Sequence, residues 1–212
     1  MTIDIQRTLT STPAIAYELD GNCYLNITNQ CTLRCQFCPK FNRQWDIEDY
    51  SLRLRQEPDV AMILAAIGDI TRYKEIVFCG LGESSLRLAT LLEVAERLQL
   101  QGCFVRLDTD GLANMVYGYD ITPLLHKRIN ALSISLNAQT EAMYNEYCRP
   151  KDLRAYQAML KFTRYARDHV SDITLTAITG LKGIDVDACA DIATNMGVKF
   201  KALALKNSLP SL

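Results

Sequence analysis

The sequence has no long apolar run, no excess charge of either sign and no recognisable secretory signal. No apolar run approaches the roughly 18 residues that would span a bilayer, and residues 1–20 lack the charged start and apolar block of an export signal. The 23 Lys and Arg residues nearly balance 24 Asp and Glu residues, so nothing favours binding to nucleic acid or to an anionic membrane. These absences argue against transmembrane, secreted and collagen-like classes and predict a cytoplasmic protein without a membrane partner.

The length and composition fit one globular domain. The chain has 212 residues, of which 49% are hydrophobic and 22% charged, as in ordinary folded proteins. No segment has the composition of a linker. We therefore expect a leader at residues 1–20 that includes a hairpin strand, one core domain at 21–207 and a short tail at 208–212.

Apolar strand-like runs alternate with amphipathic helical stretches along the core. The Asp20-Gly21 pair predicts a hairpin turn before the first of these runs. Strands are predicted at 23–28, 75–79, 103–109, 130–136, 173–178 and 198–205. Helices are predicted after Pro58, along Leu88–Leu98, at 121–127, along Leu153–Thr163 and from Asp185 to Gly197.

Six strand–helix units imply parallel strands joined by right-handed crossovers. A full eight-fold barrel needs about 250 residues, which exceeds the length of this chain. The predicted fold is therefore α/β, an open and partial (β/α)6 barrel of the TIM type. A doubly wound sheet remains the alternative, because periodicity alone does not separate the two.

The cysteines carry the main functional signal. The chain has eight of them, and three lie within eight residues in a C-x3-C-x2-C spacing formed by Cys31, Cys35 and Cys38. A loop with such short spacings can wrap around one metal centre. Three thiolate ligands on a four-iron cluster leave one iron open to a substrate or cofactor. The alternatives are a buried trio of small apolar residues and a zinc site completed by a distant residue.

This motif, with Phe37 just before the last cysteine, resembles the signature of the radical S-adenosylmethionine (SAM) superfamily. The resemblance covers about residues 15–207. It implies that the three cysteines bind a [4Fe–4S] cluster and that the fourth iron is chelated by SAM. Reductive cleavage of SAM would then give a 5′-deoxyadenosyl radical that abstracts hydrogen from a substrate.

Three further segments resemble cofactor-binding parts of the same superfamily. Residues 81–84 resemble its G-G-E-P segment, although Leu81 replaces the first glycine and Ser84 replaces the proline. Residues 106–111 resemble a D-T-N-G turn, and residues 133–137 a fourth-strand contact. The resemblance implies that the cofactor contacts are Phe37, Leu81, Gly82, Glu83, Ser84, Asp108, Thr109, Ser135 and Asn137.

The segments YLNITNQC, EIVFCGLGE, NALSISLNA and YNEYCRP are similar to one branch of this superfamily, the radical proteins encoded beside TatD-type hydrolases. A TatD-type hydrolase is therefore a candidate partner. The wider resemblance implies oxidoreductase chemistry and an electron donor such as a flavodoxin or a ferredoxin. The missing carboxy-terminal domain suggests that a large substrate or a partner protein closes the site.

The residues indicate a common site without the family as well. The cysteine loop and the segments at 80–83, 108–111 and 137 each follow one of the first four strands. The carboxyl ends of parallel strands lie on one face, where ligands bind in α/β folds. Taken singly, the glycines and aspartates could be ordinary turn residues. Candidate catalytic residues near this face are Arg87, Cys148 and Arg149, although Arg87 also fits a surface salt bridge and Cys148 a loop anchor.

The sequence thus predicts a radical SAM enzyme of unknown substrate. One alternative is an activase that installs a glycyl radical on a partner protein. The other is a non-catalytic iron–sulfur or zinc module. The sequence also predicts a single cluster, because the remaining cysteines are scattered and no group of them provides a second ligand set.

Overall fold

A computed structural model describes residues 13–204, so the predicted leader up to residue 12, the last residue of the sixth strand and the tail at 208–212 lie outside the described residues. The strands are β1 Ala16–Leu19, β2 Asn22–Leu25, β3 Asp46–Ile47, β4 Tyr50–Ser51, β5 Ile76–Phe78, β6 Val105–Thr109, β7 Ala131–Ser135, β8 Asp172–Thr179 and β9 Lys199–Ala204. The helices are α1 Val60–Ile67, α2 Leu88–Gln99, α3 Ala113–Tyr117, α4 Thr122–Leu125, α5 Glu141–Cys148, α6 Ala155–Ala166 and α7 Val186–Asn195.

Seven strands form one sheet in the order β1-β2-β5-β6-β7-β8-β9. All neighbours pair in parallel except β1 and β2, which form an antiparallel hairpin. The parallel strands follow one another in sequence order, so right-handed crossovers place every connecting helix on the same face. In a doubly wound sheet, the order of the strands would reverse direction partway across the sheet. The partial (β/α)6 barrel is therefore confirmed, and the doubly wound alternative is excluded.

The predicted hairpin turn is also confirmed. Asp20 and Gly21 have positive φ values of 54° and 77°, the conformation that a two-residue hairpin loop requires. The turn returns the chain so that Ala16 lies opposite Leu25. The hairpin therefore adds β1 as an edge strand beside the first parallel strand.

Two apolar clusters lie on opposite faces of the sheet. The main core packs the outward-facing residues of the strands, among them Leu25, Phe78 and Leu107, against the helices. A smaller cluster on the concave face packs Tyr17 against Leu52 and Leu81 and includes residues of the β3–β4 hairpin. That hairpin was not predicted, and it covers the concave side of β1 and β2.

The boundaries that differ from the sequence predictions include the starts of two helices. Leu153 was expected on the fourth helix, but α6 begins at Ala155 and Leu153 is 66% exposed. Pro58 was expected to open a helix, but Asp59 caps α1 by accepting a hydrogen bond from the Met62 amide. An aspartate at this position satisfies an amide that the first turn leaves free, which explains the later start.

None of the helices between residues 13 and 204 has the length and apolar character that crossing a membrane requires.

A candidate cofactor site at the carboxyl ends of the strands

The three clustered cysteines lie on the irregular loop that follows β2. Cys31, Cys35 and Cys38 are all partly buried and none forms a disulfide. The Cys38 amide donates to the carbonyl of Cys35 at 3.1 Å, which closes a tight turn between two of them. A 3-10 turn from Pro39 to Asn42 follows at once. The loop thus presents its three thiols from a short, turned segment.

The end of α5 anchors this loop. The Arg34 amide donates to the carbonyl of Cys148 at 2.9 Å, and the Gln36 amide donates to the carbonyl of Tyr147 at 2.8 Å. These hydrogen bonds flank Cys35 and fix its position. They also satisfy carbonyls at the end of a helix that have no partner within the helix.

Burial keeps the three thiols neutral when no metal is bound. Desolvation raises the pKa of Cys31 and of Cys38. A hydrogen bond with the Cys148 thiol, together with burial, raises the pKa of Cys35 well above its usual range. Across residues 13–204, no three Cys, His, Asp or Glu side chains converge as a single bound ion would require. Soft thiols on one loop are nevertheless the donor set that iron–sulfur clusters use.

The loop after β5 lies directly against the segment that leads to the cysteines. The Glu83 amide donates to the carbonyl of Gln30 at 2.7 Å. A β-carbon on Gly82 would collide with the backbone carbonyl of Thr28 and lie only 2.8 Å from that of Gln30. Gly82 is therefore required for the close approach of two backbones, and a larger residue there would displace both loops.

A buried carboxylate joins the ends of β5 and β6. The Glu83 carboxylate accepts hydrogen bonds from the Ser85 amide at 3.0 Å, the Thr109 hydroxyl at 2.9 Å and the Asp110 amide at 2.7 Å. Glu83 is only 5% exposed. This network fixes Glu83 and Thr109, two of the predicted cofactor contacts, side by side.

Asp110 connects this network to the cysteine loop. Its carboxylate accepts from the Leu112 amide at 2.9 Å and from the hydroxyl of Thr32. Burial, and then repulsion from Glu83, raises the pKa of Asp110 well above its usual range. Asp110 and Glu83 also raise the pKa of Cys31. Because Thr32 directly follows Cys31, its hydrogen bond to Asp110 brings the carboxyl pair to the start of the cysteine motif.

Asp108 lies on the other face of β6 from Thr109. Its carboxylate pairs with the Arg106 guanidinium at 3.3 Å, and Arg106 also pairs with Glu75 at 3.2 Å. Desolvation raises the pKa of Asp108 to about 6, although Arg106 acts in the opposite direction. The sequence placed Asp108 and Thr109 together as cofactor contacts, whereas the structure separates them.

The other predicted cofactor contacts lie in different environments. Phe37 packs against the main core, whereas Leu81 belongs to the smaller cluster. Ser84 is buried at the start of a 3-10 turn, and Ser135, the last residue of β7, is half-buried. The side-chain amide of Asn137 donates to the Cys148 sulfur at 3.5 Å. Their contact with a cofactor stays a prediction.

The structure gives Arg87 internal partners instead of a free guanidinium. It donates to the carbonyls of Ile27 at 3.0 Å and Pro58 at 2.6 Å, and it pairs with Glu57 at 3.3 Å. These bonds hold the segment before α1 against the end of β2. A role in binding a substrate carboxylate is therefore not favoured.

Cys148 and Arg149, the other two catalytic candidates, differ from each other. Cys148 is the last residue of α5 and is fully buried, so it does not face solvent at the rim. Arg149 is exposed and ends the helix in a left-handed conformation, with φ 47°. Cys148 lies beside the predicted cluster ligand Cys35, because the Arg34 amide donates to the Cys148 carbonyl at 2.9 Å.

These features define an α/β protein with a partial parallel barrel, in which a loop with three thiols and a pair of buried carboxyl groups meet at the carboxyl ends of the strands. The family model of the Radical SAM superfamily matches residues 25–195. The chain therefore belongs to the Radical SAM superfamily, as its motif predicted. Members of that superfamily are enzymes that use a [4Fe–4S] cluster and SAM.

Solved structures of three other proteins share the fold. SuiB from Streptococcus suis, bound to SAM, is 15% identical with a TM-score of 0.61, over 87% of this chain and 38% of SuiB. SuiB bound to its precursor peptide SuiA is 13% identical with a TM-score of 0.61, over 85% of this chain and 38% of SuiB.

The hydrogenase maturase HydG from Carboxydothermus hydrogenoformans is 18% identical with a TM-score of 0.60, over 89% of this chain and 46% of HydG. The methyltransferase TsrM from Kitasatospora setae, with cobalamin and a [4Fe–4S] cluster bound, is 12% identical with a TM-score of 0.55, over 82% of this chain and 35% of TsrM. This chain thus spans less than half the length of these proteins. No curated protein matches it in sequence.

Proposed function

We propose that this protein is a radical SAM enzyme that cleaves SAM reductively and abstracts hydrogen from a large substrate, a peptide or a protein. Cys31, Cys35 and Cys38 would hold a [4Fe–4S] cluster, and the ends of β5 to β7 would hold SAM. The observation that carries this proposal is the hydrogen-bonded connection of Thr32, inside the cysteine motif, to Asp110 and Glu83. This connection supports a single site that combines the proposed cluster ligands with the strands that we propose bind SAM.

The [4Fe–4S] cluster and SAM, when bound, would supply the radical chemistry, in which one electron cleaves SAM to methionine and a 5′-deoxyadenosyl radical. The chain's own residues would position those groups. The Glu83 carboxylate could pair with an ammonium group, because it is buried and three hydrogen-bond donors hold it in place. A fixed carboxylate in a site of low polarity binds a cation more strongly than one in water.

The polar concave face beside the proposed site favours the interpretation that the substrate is large. Ser133, Thr174 and Lys199 lie side by side on β7, β8 and β9, and Ser135, Thr176 and Lys201 form the next row. All of these face away from the helices, and both lysines are exposed. A wide, polar face of this kind can admit a peptide, and SuiB is a structural neighbour that was solved with a precursor peptide.

The deciding test is anaerobic reconstitution with iron and sulfide, reduction with dithionite and an assay for 5′-deoxyadenosine. We expect formation of 5′-deoxyadenosine that depends on both reductant and SAM. A protein that binds a cluster but yields none would instead be the non-catalytic module. A yield that requires an added partner protein, on which a glycyl radical then appears, would identify the activase.

We propose further that the protein is cytoplasmic. The sequence resemblance supports oxidoreductase chemistry, membership of the branch encoded beside TatD-type hydrolases and a TatD-type hydrolase as partner. Co-purification of the tagged protein with that hydrolase would support the last of these.

We propose further that an acidic one-electron carrier, a flavodoxin or a ferredoxin, docks on the cationic surface formed by Arg34, Lys40, Phe41 and Arg43. The Arg34 guanidinium lies 5.7 Å and the Lys40 ammonium 4.9 Å from the centre of the exposed Phe41 ring. Among residues 13–204, none of these three cations pairs with a carboxylate. The cations that do are Arg72, Arg87, Arg97, Arg106, Arg128, Arg154 and Lys199.

Reversing the charge of this surface should slow its reduction by an acidic carrier. In the Arg34→Glu/Arg43→Glu variant we expect reduced flavodoxin to reduce the cluster about tenfold more slowly at low ionic strength, because steering by opposite charge is lost. The difference should shrink at high salt, and reduction by dithionite should not fall. The measurement is stopped-flow bleaching of the cluster absorption.

Lys161→Glu is the matched control, because Lys161 lies 5.4 Å from the Tyr165 ring centre in a similar arrangement on α6. Equal flavodoxin rates in the wild type and the double variant would contradict this docking surface.

A further inference from the structure

Cys148 lies against one of the predicted cluster ligands although it is 113 residues away in sequence. Its side chain is fully buried at the end of α5. The backbone hydrogen bonds from Arg34 to the Cys148 carbonyl at 2.9 Å and from Gln36 to the Tyr147 carbonyl at 2.8 Å flank Cys35. These two hydrogen bonds hold the end of α5 against Cys35, so the buried Cys148 lies beside Cys35. The position of Cys148 beside Cys35 is thus set by the backbone and not by a flexible side chain alone.

Asn137 determines how the Cys148 thiol is oriented. Its side-chain amide nitrogen donates to the Cys148 sulfur at 3.5 Å. Its backbone has φ 59°, in the left-handed region that asparagine tolerates better than most residues, and its amide donates to the Thr176 carbonyl at 2.9 Å. Because an amide NH2 group only donates, the Cys148 sulfur accepts on this side and its own proton is free to point towards Cys35.

We propose that the Cys148 S–H group donates a hydrogen bond to the sulfur of Cys35 when Cys35 is a cluster ligand, and that the Asn137–Cys148 pair thereby sets the reduction potential of the cluster. This inference rests on the proposed function. A cysteine that binds iron does so as a thiolate and has no proton, so the proton of the proposed hydrogen bond belongs to Cys148. Cys148 acts through Cys35 and is a positioning residue.

The direction of the effect follows from the charge. The reduced cluster carries one more negative charge, so a donor aimed at a ligand sulfur stabilises the reduced form more than the oxidised form. Hydrogen bonds to cluster sulfurs are among the factors that set such potentials. Cys148 should therefore raise the potential and make the first electron easier to accept.

A buried cysteine is more often a small packing residue, and Cys189 is an example. Cys189 is equally buried, on α7, among the apolar residues of the main core. Cys148 differs because its sulfur accepts a hydrogen bond from the Asn137 amide and because backbone hydrogen bonds hold it beside Cys35. Cys189 therefore provides the matched control.

The test is a redox titration of the reconstituted full-length protein without SAM, followed by the electron paramagnetic resonance signal of the reduced cluster. In Cys148→Ala we expect the ratio of reduced to oxidised cluster at a fixed potential to fall about tenfold, a shift of 59 mV for a one-electron couple. Cys148→Ser keeps a donor and should retain most of the wild-type potential. Asn137→Ala should shift it in the same direction as Cys148→Ala, and Cys189→Ala should leave it unchanged.

The other results of these measurements would each contradict the inference. A full cluster with an unchanged potential in Cys148→Ala would show that Cys148 only packs. Loss of iron from both Cys148→Ala and Cys148→Ser, but not from Cys189→Ala, would show that Cys148 is itself a ligand. If Cys148→Ala does not fold, an unchanged potential in Asn137→Ala overturns the inference. A wild-type protein that takes up no cluster would overturn the proposed function as well.

Discussion

Replacing Cys35 with alanine should abolish the brown absorption of the reconstituted protein and reduce 5′-deoxyadenosine formation to the level of a cluster-free sample. The wild type should contain about four iron atoms per chain, as one four-iron cluster requires. A cluster held by three thiolates from one loop loses a third of its protein ligands in this variant. The measurements are iron and sulfide content, the visible spectrum and the nucleoside assay.

Cys103→Ala is the control for this loss. Cys103 is also free and partly buried, but it lies just before β6 and so at the opposite end of the barrel. The control should keep its iron. A Cys35→Ala protein that still holds a full cluster would contradict the ligand assignment and would point to Cys148 as its replacement. Iron near eight per chain in the wild type would instead reveal a second cluster.

The parallel framework could be predicted because its signals are local. Each buried strand is an apolar run between polar turns, and the Asp20-Gly21 turn has residues that adopt its φ values easily. The order of the units along the chain then implies where the strand ends meet. The positions of Glu83 and Thr109 follow from this order, and the structure joins them at 2.9 Å.

The β3–β4 hairpin could not be predicted in the same way. Each of its strands has only two residues, too few to show an alternating pattern. It packs on the concave face through contacts with Tyr17, since the Tyr17 and Tyr50 ring centres lie 5.7 Å apart. Such a contact depends on tertiary structure, and no sequence periodicity indicates it.

The sequence does not show which site residues are brought together by distant segments. The sequence predicts Cys148 as a candidate near the site face, but its position beside Cys35 depends on the backbone hydrogen bonds of residues 34 and 36. The resemblance of residues 106–111 to a D-T-N-G turn predicts that Asp108 and Thr109 both contact the cofactor. Adjacent residues in a strand point to opposite faces, and this alternation could have separated them.

Replacing Glu83 with alanine should lower both the stability of the protein and its binding of SAM. In Glu83→Ala the Thr109 hydroxyl and the Ser85 and Asp110 amides lose their acceptor. Buried donors without a partner cost about 1–3 kcal/mol each, whereas relief of the repulsion between Glu83 and Asp110 offsets part of that loss. We expect the free energy of unfolding to fall by about 3 kcal/mol, measured by urea denaturation of the cluster-free protein.

The same variant should lose measurable SAM binding, because the fixed carboxylate at the end of β5 is gone. Glu83→Gln is the matched variant. Its side-chain oxygen can still accept from Ser85 and Thr109, but its NH2 group would face the Asp110 amide, which needs an acceptor. We therefore expect a smaller loss of stability than in Glu83→Ala, together with weaker SAM binding by calorimetry on the reconstituted protein. If Glu83→Ala unfolds at the same urea concentration as the wild type and binds SAM equally well, Glu83 neither joins β5 to β6 nor contributes to the cofactor site.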